Sequence, residues 1–147
     1  MGLLDGKVVV ITGAGGGIGR EHALAMAKEG AAIVVNDLAP GTSEQSAEQI
    51  RAQGGSAVAA PFDVTDFDAC VAGVAAAEAA LGPVDILVNN AGGSPGGAWP
   101  TSFLETPREM WPAYLDMNLY GVIHCTRAVV GGMAERGFGR VVSISSD

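Results

Sequence analysis

Residues 7–19 read KVVVITGAGGGIG, an apolar run from Lys7 to Thr12 that passes without a spacer into a turn holding five glycines. A near-continuous Val/Ile run is what a strand looks like when both faces of its sheet are buried. A glycine-rich turn between such a strand and a helix gathers free backbone N–H groups and the positive end of the helix dipole at one point, which favours a phosphate. The familiar GxGxxG spacing is not met, because Ile18 stands where the third glycine belongs; Gly13-x3-Gly17-x-Gly19 fits instead. No Lys-Ser or Lys-Thr follows the glycines, so a P-loop and nucleoside-triphosphate hydrolysis are disfavoured.

Working outward, four more apolar runs have strand character: Ala31 to Asn36, Ser56 to Phe62, Val84 to Asn89 and Arg140 to Ser145. They alternate with longer helical stretches, and that rhythm predicts an α/β fold with a parallel sheet covered on both faces. The first helix follows Gly17 and is rich in small residues, Ala23, Ala25 and Ala27, which let it sit close on the sheet. Thr42 with Gln45 forms a capping box for the second, which Gly54-Gly55 ends. Thr65 with Asp68 resembles the same box, and Phe67, Val71, Val74 and Leu81 share a face before Gly82-Pro83 stops that helix. A long one opens with Thr106 as cap and Pro107 at its first position, and runs toward Gly137, with Pro112 expected to kink or split its first turns.

At 147 residues the chain has the length of one domain. Hydrophobic residues at 48% against charged residues at 16% give it enough apolar matter for a sizeable core and exclude a disordered tail. Eight Lys and Arg against sixteen Asp and Glu leave a net charge of −8, which argues against a nucleic-acid partner. Met1 to Asp5 has neither the basic nor the apolar region of a signal peptide. The stretch Ala69 to Val88 is cut by Glu78 and Asp85, so no membrane partner is expected, and a cytoplasmic protein is. Cys70 and Cys125 lie in apolar segments without metal spacing and are read as buried thiols in a reducing compartment. His22 and His124 have no partner at ligand spacing, so no metal site is expected.

The second strand ends Val34-Val35-Asn36-Asp37, which puts a carboxylate 24 residues after Gly13. An acid at that strand end can accept both ribose hydroxyls of an adenosine. It would repel a 2′-phosphate, and no Lys or Arg lies inside the glycine turn to offset it, Arg20 being just beyond; the expected cofactor is therefore NAD rather than NADP.

Thr12-Gly13-x3-Gly17-Ile18-Gly19, Asp63-Val64 after the third strand, Asn89-Asn90-Ala91-Gly92 after the fourth, Asn118 in the long helix and Ser145-Ser146 after the fifth together resemble the short-chain dehydrogenase/reductase family along the full chain. The resemblance implies a Rossmann-type doubly wound parallel sheet in the order 3-2-1-4-5, with residues 1–147 forming one dinucleotide-binding domain. It implies that Gly13, Gly17, Ile18 and Gly19 cradle the pyrophosphate, and that Asp37 with Leu38 beside it holds the adenosine ribose. Asp63 and Val64 would border the adenine, and Asn90, Ala91 and Gly92 would pass beneath the nicotinamide-side ribose. Asn118 and Ser146 are the catalytic residues so implied, Ser146 bonding the substrate oxygen, with Ser143 and Ser145 structural. The substrate would be a small alcohol or ketone such as a hydroxyacyl thioester, a cyclic alcohol or a steroid-like molecule.

The family's proton donor, a Tyr followed four places later by a Lys, is not among these residues: Tyr114 is followed by Asn118, Tyr120 by His124, and the lysines are Lys7 and Lys28. The expectation is an amino-terminal portion of an NAD-dependent dehydrogenase that binds cofactor without turnover, its last strand left as an exposed apolar edge. The alternatives are a non-catalytic dinucleotide-binding regulatory module and a structural subunit. The family counterpart of the helix from Pro107 to Arg136 lies in a tetramer interface, so a homo-oligomer, tetramer or dimer, is expected.

Overall fold

The structure, a computed structural model, describes residues 2–97 and 102–145. Five parallel strands, β1 (Val8–Ile11), β2 (Ala32–Val35), β3 (Ser56–Ala59), β4 (Ile86–Asn89) and β5 (Arg140–Ser143), form one sheet in the order β3-β2-β1-β4-β5. This is the Rossmann-type doubly wound arrangement: the order reverses at β1, where Ile11 pairs with Val35 on one side and Val88 on the other.

Period-two alternation sends successive side chains of each strand to opposite faces, which builds two cores. Val9, Ile11, Ile33, Val35, Ile86 and Val88 meet helices α1 (Gly17–Lys28) and α2 (Pro40–Ala52) through Ala23, Ala47 and Ile50. Val8, Val10, Val34 and Leu87 meet α3 (Phe67–Leu81) and α5 (Gly121–Arg136) through Cys70, Val74, Ala77, Cys125, Val129 and Met133. Cys70 and Cys125 are free thiols whose sulfurs lie 3.8 Å apart at the α3–α5 contact. The hydrogen bond they share, and then burial, push the Cys125 thiol well above its ordinary value.

Several boundaries differ from those read in the sequence, each for a local reason. The third strand ends at Ala59 rather than Phe62, because the carbonyls of Ala60 and Phe62 are taken instead by the Asn36 side-chain amide at 3.0 Å each. The second helix starts two residues before Thr42, with Pro40 at its first position; the Thr42 hydroxyl turns back to the Ala39 carbonyl at 2.9 Å and caps nothing. In the third helix the cap is Asp66, which accepts from the Ala69 N–H at 3.0 Å. Thr65 is unavailable for that role, since its N–H and hydroxyl both bond Asp63 at 2.8 Å.

The long helix does not begin at a Thr106 cap. A 3-10 turn over Arg108–Met110 leads into α4 (Trp111–Leu115), with Pro112 within its first two positions, where a missing N–H costs nothing. The larger departure lies further on, in a π-helical segment, Asp116–Tyr120, that joins α4 to α5 and closes with the Gly121 N–H on the Asp116 carbonyl. Gly137, left-handed at φ +68°, ends α5. Among the described residues no helix is long and apolar enough to cross a membrane, and no group of three or more His, Cys, Asp or Glu is placed to hold a metal.

Candidate functional site

The carboxyl ends of β1, β2, β3 and β4 open onto one side of the sheet, and a cleft of about 310 Å³ lies there. Open α/β sheets bind ligands at such a point, where the strand order reverses. Gly13, Asp37, Leu38, Asp63, Val64, Asn90, Ala91 and Gly92, all named from the sequence, line this one cleft together with Asn36, Phe62, Thr65 and Met117.

Within the glycine turn, Gly13, Gly15 and Gly19 are crowded by their neighbours, while Gly16 and Gly17 face open space. Gly13 has φ +63°, and a Cβ there would also sit 3.0 Å from the Ala91 Cα. At Gly19 a Cβ would fall 2.3 Å from the Gly13 carbonyl oxygen, so α1 can start against the turn only with a glycine. Gly16, the N-cap of α1, provides no side-chain bond, so the first-turn N–H groups of this 12-residue helix are left to water or a ligand. Gly17, Ile18 and Gly19, also named from the sequence, are not among the residues lining the cleft; Gly17 and Ile18 are exposed, Ile18 to 65%. An uncapped helix start beside a cradle that a Cβ would fill suits a pyrophosphate.

Thr12 ties the turn to the neighbouring strand end. Its buried hydroxyl accepts from the N–H groups of Asn90 at 3.0 Å and Ala91 at 2.9 Å, while the Asn90 amide donates to the carbonyls of Thr12 at 3.0 Å and Gly13 at 3.2 Å. The loops after β1 and β4 are thus one rigid piece. Sequence reasoning quoted Thr12 only as the start of the glycine motif, and Asn36 only as a strand end. The signal was present in both: a polar residue closing an apolar run is buried only if its hydrogen bonds are met.

Asp37 stands at the end of β2 with its carboxylate fixed on both oxygens, Oδ2 accepting from the Gly15 N–H at 3.0 Å and Oδ1 from the Ala39 N–H at 3.3 Å. Leu38 next to it is 69% exposed at the cleft mouth. On the far wall the Asp63–Thr65 turn presents Val64, whose carbonyl faces His124 Nδ1 at 3.0 Å, so α5 braces that wall.

Asn118 lies outside the cleft, in the π segment. Its amide pairs with both backbone groups of Gly93, accepting from the N–H at 2.8 Å and donating to the carbonyl at 2.9 Å, and also donates to the Tyr114 carbonyl at 2.9 Å. The side chain is therefore spent on holding the Gly92–Gly93 loop, and the backbone around it departs from α geometry, as often happens at functional sites. Ser146 lies outside the described residues.

The family model for short chain dehydrogenases matches residues 7–147. The probable oxidoreductase EphD of Mycobacterium tuberculosis is 42% identical over 146 residues, which are 99% of this chain and 24% of that protein. The peroxisomal multifunctional enzyme type 2 of Drosophila melanogaster is 39% identical over 97% of this chain and 24% of its own length. Among solved structures, a 7α-hydroxysteroid dehydrogenase complexed with NADH and 7-oxo glycochenodeoxycholic acid superposes with a TM-score of 0.88 at 37% identity, covering 97% of this chain and 54% of that one. A short chain dehydrogenase from Mycobacterium avium gives 0.88 at 36%, covering 99% and 54%. The chain spans about a quarter of the curated relatives just named and about half of these solved chains.

Proposed function

The chain belongs to the short-chain dehydrogenase family, and from that premise we propose that its cleft binds NAD(H) in an oxidoreductase that interconverts a secondary alcohol and a ketone. The observation that carries this is the Asp37 carboxylate, fixed by two backbone N–H groups at the end of a cleft that begins at the glycine turn. In this reading Gly13, Gly17, Ile18 and Gly19 offer backbone N–H groups to the pyrophosphate. Asp37 accepts from the adenosine ribose hydroxyls, with Leu38 covering that ribose, and Asp63 and Val64 border the adenine. Asn90, Ala91 and Gly92 run beneath the second ribose, their loop anchored to Asn118 through Gly93.

When bound, the nicotinamide takes up or gives a hydride. Asn118 then orders the floor of the reacting end, and Ser146 bonds the substrate oxygen. A proton must also reach or leave that oxygen, and residues 1–147 contain no Tyr with a Lys four places on. These residues alone therefore bind cofactor without turning it over, as one dinucleotide-binding domain, and turnover belongs to a protein in which such a pair completes the site. The solved neighbour bound to an oxo-steroid supports a cyclic alcohol or steroid-like substrate, with a hydroxyacyl thioester as the second class. The exposed apolar side chains along α4, the π segment and α5, Trp111, Leu115, Leu119 and Ile123, support a homo-oligomer, tetramer or dimer.

The test is calorimetry with NADH and NADPH. Wild type should bind NADH more tightly, and Asp37→Asn should weaken NADH by about tenfold, the worth of a charge-assisted hydrogen bond. Adding Leu38→Arg should then favour NADPH. An unchanged preference in both variants would remove Asp37 from the ribose and with it this cofactor assignment.

A further inference from the structure

Gly15 lies at the heart of the glycine turn, and both of its backbone polar groups are claimed by charged side chains of opposite sign. Its N–H donates to Asp37 Oδ2 at 3.0 Å. Its carbonyl accepts from the guanidinium of Arg20, whose Nε also donates to the hydroxyl of Ser46 at 2.8 Å. Ser46 is completely buried in α2, so one arm of Arg20 is pinned to a rigid point while the other holds the turn. Among the described residues Arg20 and Asp37 make no direct ion pair; each holds Gly15, from opposite ends of that residue.

Gly15 has no side chain to limit its φ and ψ, so the direction of its N–H is set by whatever holds its two ends. A peptide N–H that wanders cannot orient a carboxylate, whereas one fixed by a guanidinium on the neighbouring carbonyl can. We propose that Arg20 is a positioning residue for the cofactor: by clamping the Gly15 carbonyl it aims the Gly15 N–H at Asp37 and so holds the carboxylate in the orientation that accepts from an unphosphorylated adenosine ribose. The inference rests on the NAD(H) reading above. Nε is engaged by Ser46 in α2 and Nη2 by Gly15 in the turn, so Arg20 is held as a brace beside the acid.

A double-mutant cycle tests this, read by calorimetry with NADH and NADPH on wild type, Arg20→Gln, Arg20→Lys, Asp37→Asn and the Arg20→Gln/Asp37→Asn pair. Arg20→Gln should weaken NADH by about tenfold, the range for losing a charged hydrogen bond. Arg20→Lys keeps the charge but cannot reach Ser46 and Gly15 together, and should lose about threefold. In the Asp37→Asn background, Arg20→Gln should cost less than about twofold more, since the group it positions is already gone. An equal loss with and without Asp37 would mean that Arg20 acts on the ligand or the fold directly, and would overturn the proposal. So would a selective loss of NADPH, or no loss at all. If wild type binds neither nucleotide, the cofactor reading itself falls and takes this one with it; binding by wild type with no coupling between the two sites removes this one alone.

Discussion

β1 and β5 are both four-residue, valine-rich strands that pair in parallel with the same neighbour, β4. In β1 no residue is more than 5% exposed, whereas Val141 and Val142 of β5 are 43% and 47% exposed. The difference is position: β1 has strands on both sides and helices on both faces, and among the described residues β5 pairs only with β4. An apolar run thus reports what a strand is able to bury, and its place in the sheet decides what it does bury. The proposed cofactor cleft sits over the fully buried strands, where loops after β1 and β4 are locked by Thr12 and Asn90. Asn118 lies outside that cleft, in the π segment between α4 and α5.

The largest expected effect comes from placing one charge in each strand. Val10→Asp should cost about 5 kcal/mol or more, enough to prevent folding, because an unpaired carboxylate would be buried between helices and sheet. Val142→Asp should stay within about 1 kcal/mol in the same urea titration. Equal effects would show that β5 is as enclosed as β1. Next is Gly19→Ala, where the added methyl meets the Gly13 carbonyl; about 2–3 kcal/mol of stability and the binding of NADH should go together.

A smaller effect concerns the thiols between α3 and α5. Cys125 keeps its proton when folded, while in the unfolded chain it ionises near pH 8.5. Below that pH both states hold the proton and the group contributes nothing to the pH dependence. The same hydrogen bond lowers the Cys70 thiol, so the two titrate as a pair: stability should rise with pH as folded Cys70 ionises below that value and fall by up to about 1.4 kcal/mol per pH unit above it, a profile that the Cys70→Ala/Cys125→Ala pair should flatten in pH-dependent unfolding. The smallest effect should be a gain: at Gly131, exposed on α5, a Cβ meets nothing within 4 Å, so Gly131→Ala should stabilise by about 0.5–1 kcal/mol.

What could be read in the sequence follows the same division. All five strands were legible, because parallel strands leave near-unbroken Val/Ile runs; their order and most of the cleft followed from the family resemblance that the motifs at the strand ends carry. Helix starts were less so. Thr42 and Thr65 had suitable spacing for caps, but Pro40 and Asp66 competed from the neighbouring positions and won. The π segment left no local mark: what stabilises it is a pairing of Asn118 with Gly93, 25 residues away, which no helical period encodes. The clamp of Arg20 on Gly15 was hidden for the same reason, since Ser46, which fixes it, lies 26 residues on in another helix.

The wide turn at Asp116–Tyr120 makes the helix that contains it a counted device. A residue of α-helix turns the chain by about 100°. A π turn fits one extra residue into about the arc of an α turn, so removing Met117 or Leu119 would restore regular winding with Trp111–Leu115 and α5 keeping nearly their present faces. The displaced backbone that sets Asn118 against Gly93 would be lost, and the loop after β4 would lose its outer support. Along this stretch the number of residues matters as much as their identity: a deletion too conservative to disturb composition or charge would release the loop after β4 while leaving the helices on either side in place.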